Sequence, residues 1–339
     1  MAFDPVHLTR SLVDIESITY NEGAVGVWLE AFLQGLGFAV ERMEVLQPGS
    51  SRYHGDRFNL YAASEGTSPV IVFSTHMDTV PPFIASREDD EFIYGRGSCD
   101  AKGIIAAQIG AAVRLREHGV NTGLLFVVGE ERDSGGAHAA NQNPRGCRYL
   151  INGEPTDNRL ALASKGALRA TIRATGKMGH SAYPELGESA IHKLVHALER
   201  VLALRLPVVE DVGSGTLNIG NIEGGHAPNV IADSAAAHLL IRLVGPSEEV
   251  RSQIEHAVAG LATVEFTLDI PFIRLKGIEG LETMVAAFTT DIPALSNWGE
   301  PLLLGPGSIH VAHTPHERLA KRELLEAIDL YTDLALRLA

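Results

Sequence analysis

Apolar residues along the chain follow two periods, and the places where one gives way to the other outline its organisation. Leu8, Leu12, Val13 and Ile15 recur at helical spacing, and residues 25–36 predict a second amphipathic helix that closes near Gly37. Residues 38–45 alternate as a strand does, and residues 58–62 form another short strand. Two runs are apolar without a break, Val70-Ile71-Val72-Phe73 and Leu124-Leu125-Phe126-Val127-Val128. Such runs mark strands covered on both faces of a sheet. Between them, residues 101–116 place Ile104, Ile105, Ile109, Val113 and Leu115 on a helix packed against that sheet. Tyr149-Leu150-Ile151 is one more buried strand. This alternation predicts an α/β domain around a mainly parallel sheet.

The texture changes near Lys165. Residues 167–174 alternate, residues 189–204 form a helix that must end before Pro207, and residues 216–222 and 235–243 are strands. A helix over 247–259 and a strand over 264–269 complete the series. Strand, helix, strand, strand, helix, strand is the ferredoxin-like order. The expected organisation is therefore a catalytic domain of residues 1–164 and 272–339, with an α+β domain of residues 165–271 inserted as a lid. After the insertion, Pro301-Leu302-Leu303-Leu304 is a buried strand and residues 322–338 a final helix.

Charge and cysteine usage narrow the function. Acidic residues outnumber basic ones by 42 to 28, a net charge of −14, and that field opposes nucleic acid and anionic lipid. Cys99 and Cys147 are the only cysteines, too few for a disulfide framework and suited to a reducing compartment. No apolar run approaches the roughly 18 residues that a membrane span needs. The first residues also lack a signal-peptide pattern. A cytoplasmic protein acting on small molecules is the expectation.

Acidic and imidazole side chains gather where the buried strands end. One strand leads into His76-Met77-Asp78, another into Gly129-Glu130-Glu131, a third into Gly153-Glu154-Pro155-Thr156. Strand ends of an open α/β sheet form the ligand crevice. Taken singly, a His-x-Asp pair is an ordinary surface motif, two glutamates an ordinary turn, and Asp100 before a helix an ordinary N-cap. Their joint placement is what counts, and nitrogen and oxygen donors without cysteine suit a catalytic Zn²⁺ that keeps a position open.

These segments resemble the dinuclear zinc metallopeptidases and deacylases typified by acetylornithine deacetylase, succinyl-diaminopimelate desuccinylase and glutamate carboxypeptidase. The resemblance runs through the whole chain. It implies two Zn²⁺ per subunit, with Co²⁺ able to substitute, and amide hydrolysis by activated water. His76, Glu154 and the bridging Asp100, in Gly95-Arg96-Gly97-Ser98-Cys99-Asp100-Ala101-Lys102-Gly103, are implied ligands. In the Gly-Glu-Glu pair Glu130 is the implied general base and Glu131 a ligand. Asp78 is implied to orient the His76 ring. The last ligand, from an Ala-His-x-Pro stretch, is His313; the neighbouring His310 and His316 are ordinary loop residues. A cis peptide after Asp100 also belongs to the pattern.

The same resemblance assigns His180, in Gly-x-x-Gly-His-Ser, to the reaction's oxyanion and has it reach in from a second subunit, so a homodimer through the inserted domain is implied. Asn229 is the implied substrate contact of the loop Gly224–Ile231. Arg242 matches an arginine that binds a substrate carboxylate, although the acidic residue usual before it is replaced by Leu239-Leu240-Ile241. Gly307 and Ser308, in Gly305-Pro306-Gly307-Ser308-Ile309, offer backbone donors. The favoured substrate is an N-acyl amino acid of the N-acetylornithine or N-acetyl-lysine type, in amino-acid biosynthesis. A metallo-dipeptidase or carboxypeptidase is the alternative within the family, and a binding protein without catalysis the alternative outside it.

Overall fold

The structure, a computed structural model, describes residues 3–49 and 56–339. The chain divides into two compact units. The first is formed by residues 1–162, 275–284 and 290–339, the second by residues 163–274 and 285–289.

The first unit is built on a six-stranded mixed sheet. The strands Thr122–Val127, Ile71–His76, Tyr149–Asn152 and Glu300–Leu303 run parallel side by side, and Phe58–Ala63 and Ala39–Glu44 extend the sheet antiparallel at one edge. Its central strands are fully buried because helices cover the sheet on both faces. The helix Lys102–Glu117 packs against it with Ile104, Ile105, Ile109 and Leu115, all out of solvent. The final helix, Lys321–Leu338, lies alongside with Leu324, Ile328 and Tyr331 in the same core. On the other face Trp298, Leu150 and Leu125 close a smaller cluster. Parallel register pairs His76 with Val127 and Ser74 with Asn152, which brings the C-terminal ends of three neighbouring strands level.

The second unit is an antiparallel four-stranded sheet ordered Thr216–Gly224, Ser234–Leu243, Gly166–Thr175, Thr263–Ile270. Helices Ala190–Leu202 and Ser247–Val258 cover one face through Leu194, Leu198, Val201 and Ile254 over Leu168, Ala170 and Ile172. Strand order and connections follow the ferredoxin-like pattern expected from the sequence. The strand Thr216–Gly224 stands at the sheet edge and is largely exposed.

Candidate active site

Each of the three parallel strand ends delivers a polar side chain to one place in the first unit. His76 is the last residue of its strand and is buried. Its Nδ1–H donates to the backbone carbonyl of Asp78 at 2.9 Å, which turns Nε2 toward Asp100 Oδ1 at 3.0 Å. The other oxygen of that carboxylate, Asp100 Oδ2, faces His313 Nε2 at 3.2 Å, and His313 Nε2 also lies 3.0 Å from Glu131 Oε1. Two groups of donors result: His76, Asp100 and Glu154 in one, Asp100, Glu131 and His313 in the other. Within each group the donor atoms lie within 4.8 Å of one another, and Asp100 belongs to both.

Local structure explains why Asp100 is available for this. The helix behind it begins at Lys102 with Ala101 in the capping position and no side-chain cap, so the Asp100 carboxylate is not spent on the helix N-terminus. The peptide between Asp100 and Ala101 is cis, as the resemblance implied.

So many carboxylates in one buried place demand compensation. Burial first, and then the charges of neighbouring acids, push Glu130 and Glu154 well above the usual carboxylate range. Burial opposes charge on His76, but its contacts with Asp100 and Asp78 outweigh it and keep the ring cationic. Hydrogen bonds donated to Asp100 and Glu131 push His313 up to about 10. Protons here do the work that divalent cations do better. Glu154 Oε1 is buried with no hydrogen-bond partner, and an orphaned oxygen beside imidazole and carboxylate donors is the chemistry of a metal ligand. The residues fit a two-metal centre.

Asp78 holds the His76 ring through its backbone carbonyl, and its carboxylate has a second task. Its carboxylate is 3.6 Å from His76 Nδ1, farther than its own carbonyl. The carboxylate instead accepts the backbone N–H groups of Gly129 at 2.9 Å, Glu130 at 3.1 Å and Glu131 at 3.3 Å, and the Thr19 hydroxyl at 2.8 Å. It therefore fixes the loop carrying both glutamates. Gly129 is required there: its φ is +84°, and a Cβ would lie 2.1 Å from the Arg57 guanidinium.

The other expected residues fall elsewhere. His180 and Asn229 are both exposed in the second unit, on adjacent segments: His180 pairs with Val230, and Ser181 N–H donates to the Asn229 carbonyl at 3.0 Å. Arg242 is half-buried on the strand Ser234–Leu243, with no side-chain hydrogen bond or ion pair among the described residues, and burial lowers its pKa. Gly307 is buried against Cys99, and its carbonyl accepts the Asp157 N–H at 2.8 Å. The Ser308 carbonyl accepts from Cys99 Sγ at 3.5 Å. His310 and His316 are exposed and join neither donor group. Two residues that the sequence reading passed over stand close by, Glu317 and Asp291, both buried. Neither was marked in the sequence: Glu317 stands in a polar loop and Asp291 in a short polar stretch.

Comparison with known proteins places this geometry. A family model described as a peptidase dimerisation domain matches residues 162–266. An M20 peptidase domain-containing protein of Schizosaccharomyces pombe is 38% identical over 96% of this chain and 82% of its own length. The chain belongs to the M20 peptidase family. A probable carboxypeptidase of Paracoccidioides brasiliensis is 37% identical over 96% of this M20 chain and 84% of its own. Among solved structures, a tripeptidase of Staphylococcus aureus superposes with a TM-score of 0.80 at 22% identity, covering 98% of both chains. A dinuclear metal-binding M20 peptidase of Bacillus subtilis reaches 0.69 at 17% identity, over 98% and 97% of the two chains. Like them, this M20 chain has the α/β fold with a dimerisation domain, and it is a metal-dependent hydrolase. The likeness to acetylornithine deacetylases in particular finds no counterpart among these relatives.

Proposed function

We propose that this M20 hydrolase cleaves the amide bond in front of a terminal amino acid that carries a free carboxylate, in an N-acyl amino acid or a short peptide. The observation that carries the reading is the position of Glu130: it lies within electrostatic reach of His76, Glu131 and Glu154, yet belongs to neither donor group. His76, Asp100 and Glu154 would hold one ion, and Asp100, Glu131 and His313 the other. Two Zn²⁺ there, or Co²⁺ in their place, would supply Lewis-acid polarisation and water at a lowered pKa. Glu130 takes the proton of the attacking water and delivers it to the departing nitrogen. His180 stabilises the developing oxyanion and Asn229 contacts the substrate, with Ser308 as a further contact.

Arg242 supports the carboxylate side of this reading, since a half-buried guanidinium without a partner is suited to a bidentate anion. The names of the relatives, carboxypeptidase and tripeptidase, support peptides, whereas the sequence resemblance supports N-acetylornithine or N-acetyl-lysine. Both share the free α-carboxylate. Ile191, Val195 and Ile222 are exposed and line one shallow recess between the helix Ala190–Leu202 and the edge strand; this face supports a homodimer through the second unit. Two unpaired, buried cysteines support a cytoplasmic site of action.

The test is a hydrolysis screen of N-acetyl and N-succinyl amino acids, dipeptides and tripeptides with Zn²⁺ or Co²⁺. Each substrate is paired with its C-terminal amide. Activity that disappears with the amide supports the reading. Equal rates on acid and amide, or no hydrolysis of any substrate, would sink it.

A further inference from the structure

We propose that Glu317 is a positioning residue that sets the second donor group, Asp100, Glu131 and His313, by clamping the loops of Asp100 and His313 together; this rests on the two-metal reading above. Glu317 is 2% exposed, and so is Arg96, whose guanidinium pairs with its Oε2. A buried ion pair is retained at a cost unless every remaining lone pair is used. Here the other oxygen is fully engaged. Glu317 Oε1 accepts the backbone N–H groups of Gly97 at 2.8 Å, Asp100 at 3.2 Å and Cys99 at 3.3 Å. These are the turns that lead into the bridging carboxylate.

The pair also holds the His313 loop. Glu317 lies four residues after His313, and its N–H donates to the Thr314 carbonyl at 3.4 Å. Arg96 Nη1 donates to that same carbonyl at 3.4 Å, and Gly95 N–H donates to the Glu317 carbonyl at 3.2 Å. His313 itself has φ +63°, a left-handed conformation that a non-glycine residue keeps only when its surroundings impose it. Two loops more than two hundred residues apart are thus laced at both backbone and side chain, and the 3.2 Å approach of His313 Nε2 to Asp100 Oδ2 lies just beyond the lacing.

The clamp bears unequally on the two groups. His76 and Glu154 stand on or just beyond adjacent sheet strands, and Glu131 stands on the loop fixed by Asp78; among the described residues, Glu317 bonds to Arg96, Gly97, Cys99 and Asp100 and to none of these three. The second group has two members, Asp100 and His313, that depend on Glu317, whereas the first has only Asp100. Loss of the clamp therefore loosens one ion and largely spares the other.

The test is Co²⁺ titration of the metal-free full chain, followed by the visible absorption of the bound ion and by calorimetry, on wild type and on Glu317→Gln. Wild type is expected to take two ions. Glu317→Gln is expected to take the first with unchanged affinity and the second at least about tenfold more weakly, the lower end of what loss of a ligand's supporting partner costs. Should Glu317→Gln fail to fold, Glu317→Asp keeps the charge for Arg96 but falls short of the Asp100 N–H, and it is expected to show the same selective loss. Two ions bound by a variant with wild-type affinities, or both weakened by one common factor, overturns the proposal. Fewer than two ions bound by wild type overturns the two-metal reading itself, and the clamp with it.

Discussion

Asp78 Oδ1 accepts the backbone N–H of Glu130 at 3.1 Å, so a side chain at the end of one sheet strand aims the acid at the end of the next. The same oxygen holds Gly129, and Oδ2 holds Glu131. Burial raises the Asp78 pKa, but the adjacent His76 cation and hydrogen bonds from Thr19 and this backbone outweigh it and keep the carboxylate ionised. In Asp78→Asn the amide retains one acceptor and turns donors toward N–H groups. Turnover should fall about 10- to 100-fold, the range for partners that support a metal site. Stability should fall by about 1–3 kcal/mol, the cost of a buried donor left unsatisfied. Steady-state kinetics and urea unfolding check both. Wild-type kcat in the variant would show that the loop holds itself.

Glu130→Gln separates catalysis from metal binding. Glu130 belongs to neither donor group, so the variant should retain its metal complement by elemental analysis. An amide cannot take the proton of the attacking water, and kcat should drop at least about a hundredfold. Loss of metal together with activity would move Glu130 into the ligand set and undo the distinction between the two adjacent glutamates.

Chelation should destabilise the protein. Glu130 and Glu154 are neutral in the metal-free site because burial and neighbouring charge favour the protonated form. At pH 8 that protonation is costly to maintain, and bound cations relieve it. An ion at a thousandfold its dissociation constant adds about 4 kcal/mol. The shift per kcal/mol shrinks as the unfolding entropy grows with length, to about 1–2 °C for a chain of this size, so removing the ion should lower Tm by about 5 °C. Calorimetry before and after chelation, with metal content verified, checks this; Zn²⁺ should restore the original melt. An unchanged melt on proven metal loss would mean that the ions are not part of the folded state.

What could be read from the sequence followed how locally each feature is encoded. Unbroken apolar runs marked the Ile71–His76 and Thr122–Val127 strands, and the residues just beyond them were the metal-site candidates. The partner of a buried strand is not encoded in its own composition. Phe58–Ala63 is as buried as its neighbours yet runs antiparallel to Thr122–Val127, which the apolar pattern does not distinguish. The same limit hid Glu317. One glutamate in a polar loop looks solvated, and only the fold shows that Arg96 and three N–H groups surround it. For Asp78 the pairing with His76 was legible as a motif, but the loop that its carboxylate holds lies about fifty residues downstream.

Glu22 predicts a pH effect away from the site. Burial first, then the Asp78 charge, push it from 4.5 up to about 7, against the lowering effect of Arg57 and of backbone donors. Between those values the folded chain holds a proton that the unfolded chain has released. This contribution to stability is therefore complete below pH 4.5 and is lost as pH rises through 7. Glu22→Gln removes the group, so the stability of the variant relative to wild type should rise from pH 5 to pH 8. Urea unfolding of both chains across that range, metal-free, measures it. Parallel curves would show that Glu22 titrates alike folded and unfolded.

Subunit mixing decides how His180 serves the site. It is exposed beside the Asn229 segment, its Nδ1 accepts the Ala182 N–H at 3.2 Å, and among the described residues no acid is bonded to it. A ring so placed is free to meet a developing oxyanion, and the resemblance gives it to the partner's site. Ile191, Val195 and Ile222 offer the apolar face, and the exposed edge strand offers unpaired backbone, that a second copy would cover. Ile222→Asp should therefore yield monomers by gel filtration with a folded core, since Ile222 is 62% exposed. Glu130→Gln and His180→Ala homodimers should each be nearly inactive. After subunit exchange, a mixed dimer contains one site with both Glu130 and, from across the interface, His180. Activity should return toward about a quarter of wild type, since half the dimers are mixed and each has one intact site. Exchange proven by mass spectrometry without recovered activity would place His180 within its own chain's site or outside catalysis, and recovery that survives Ile222→Asp would remove the interface from the mechanism.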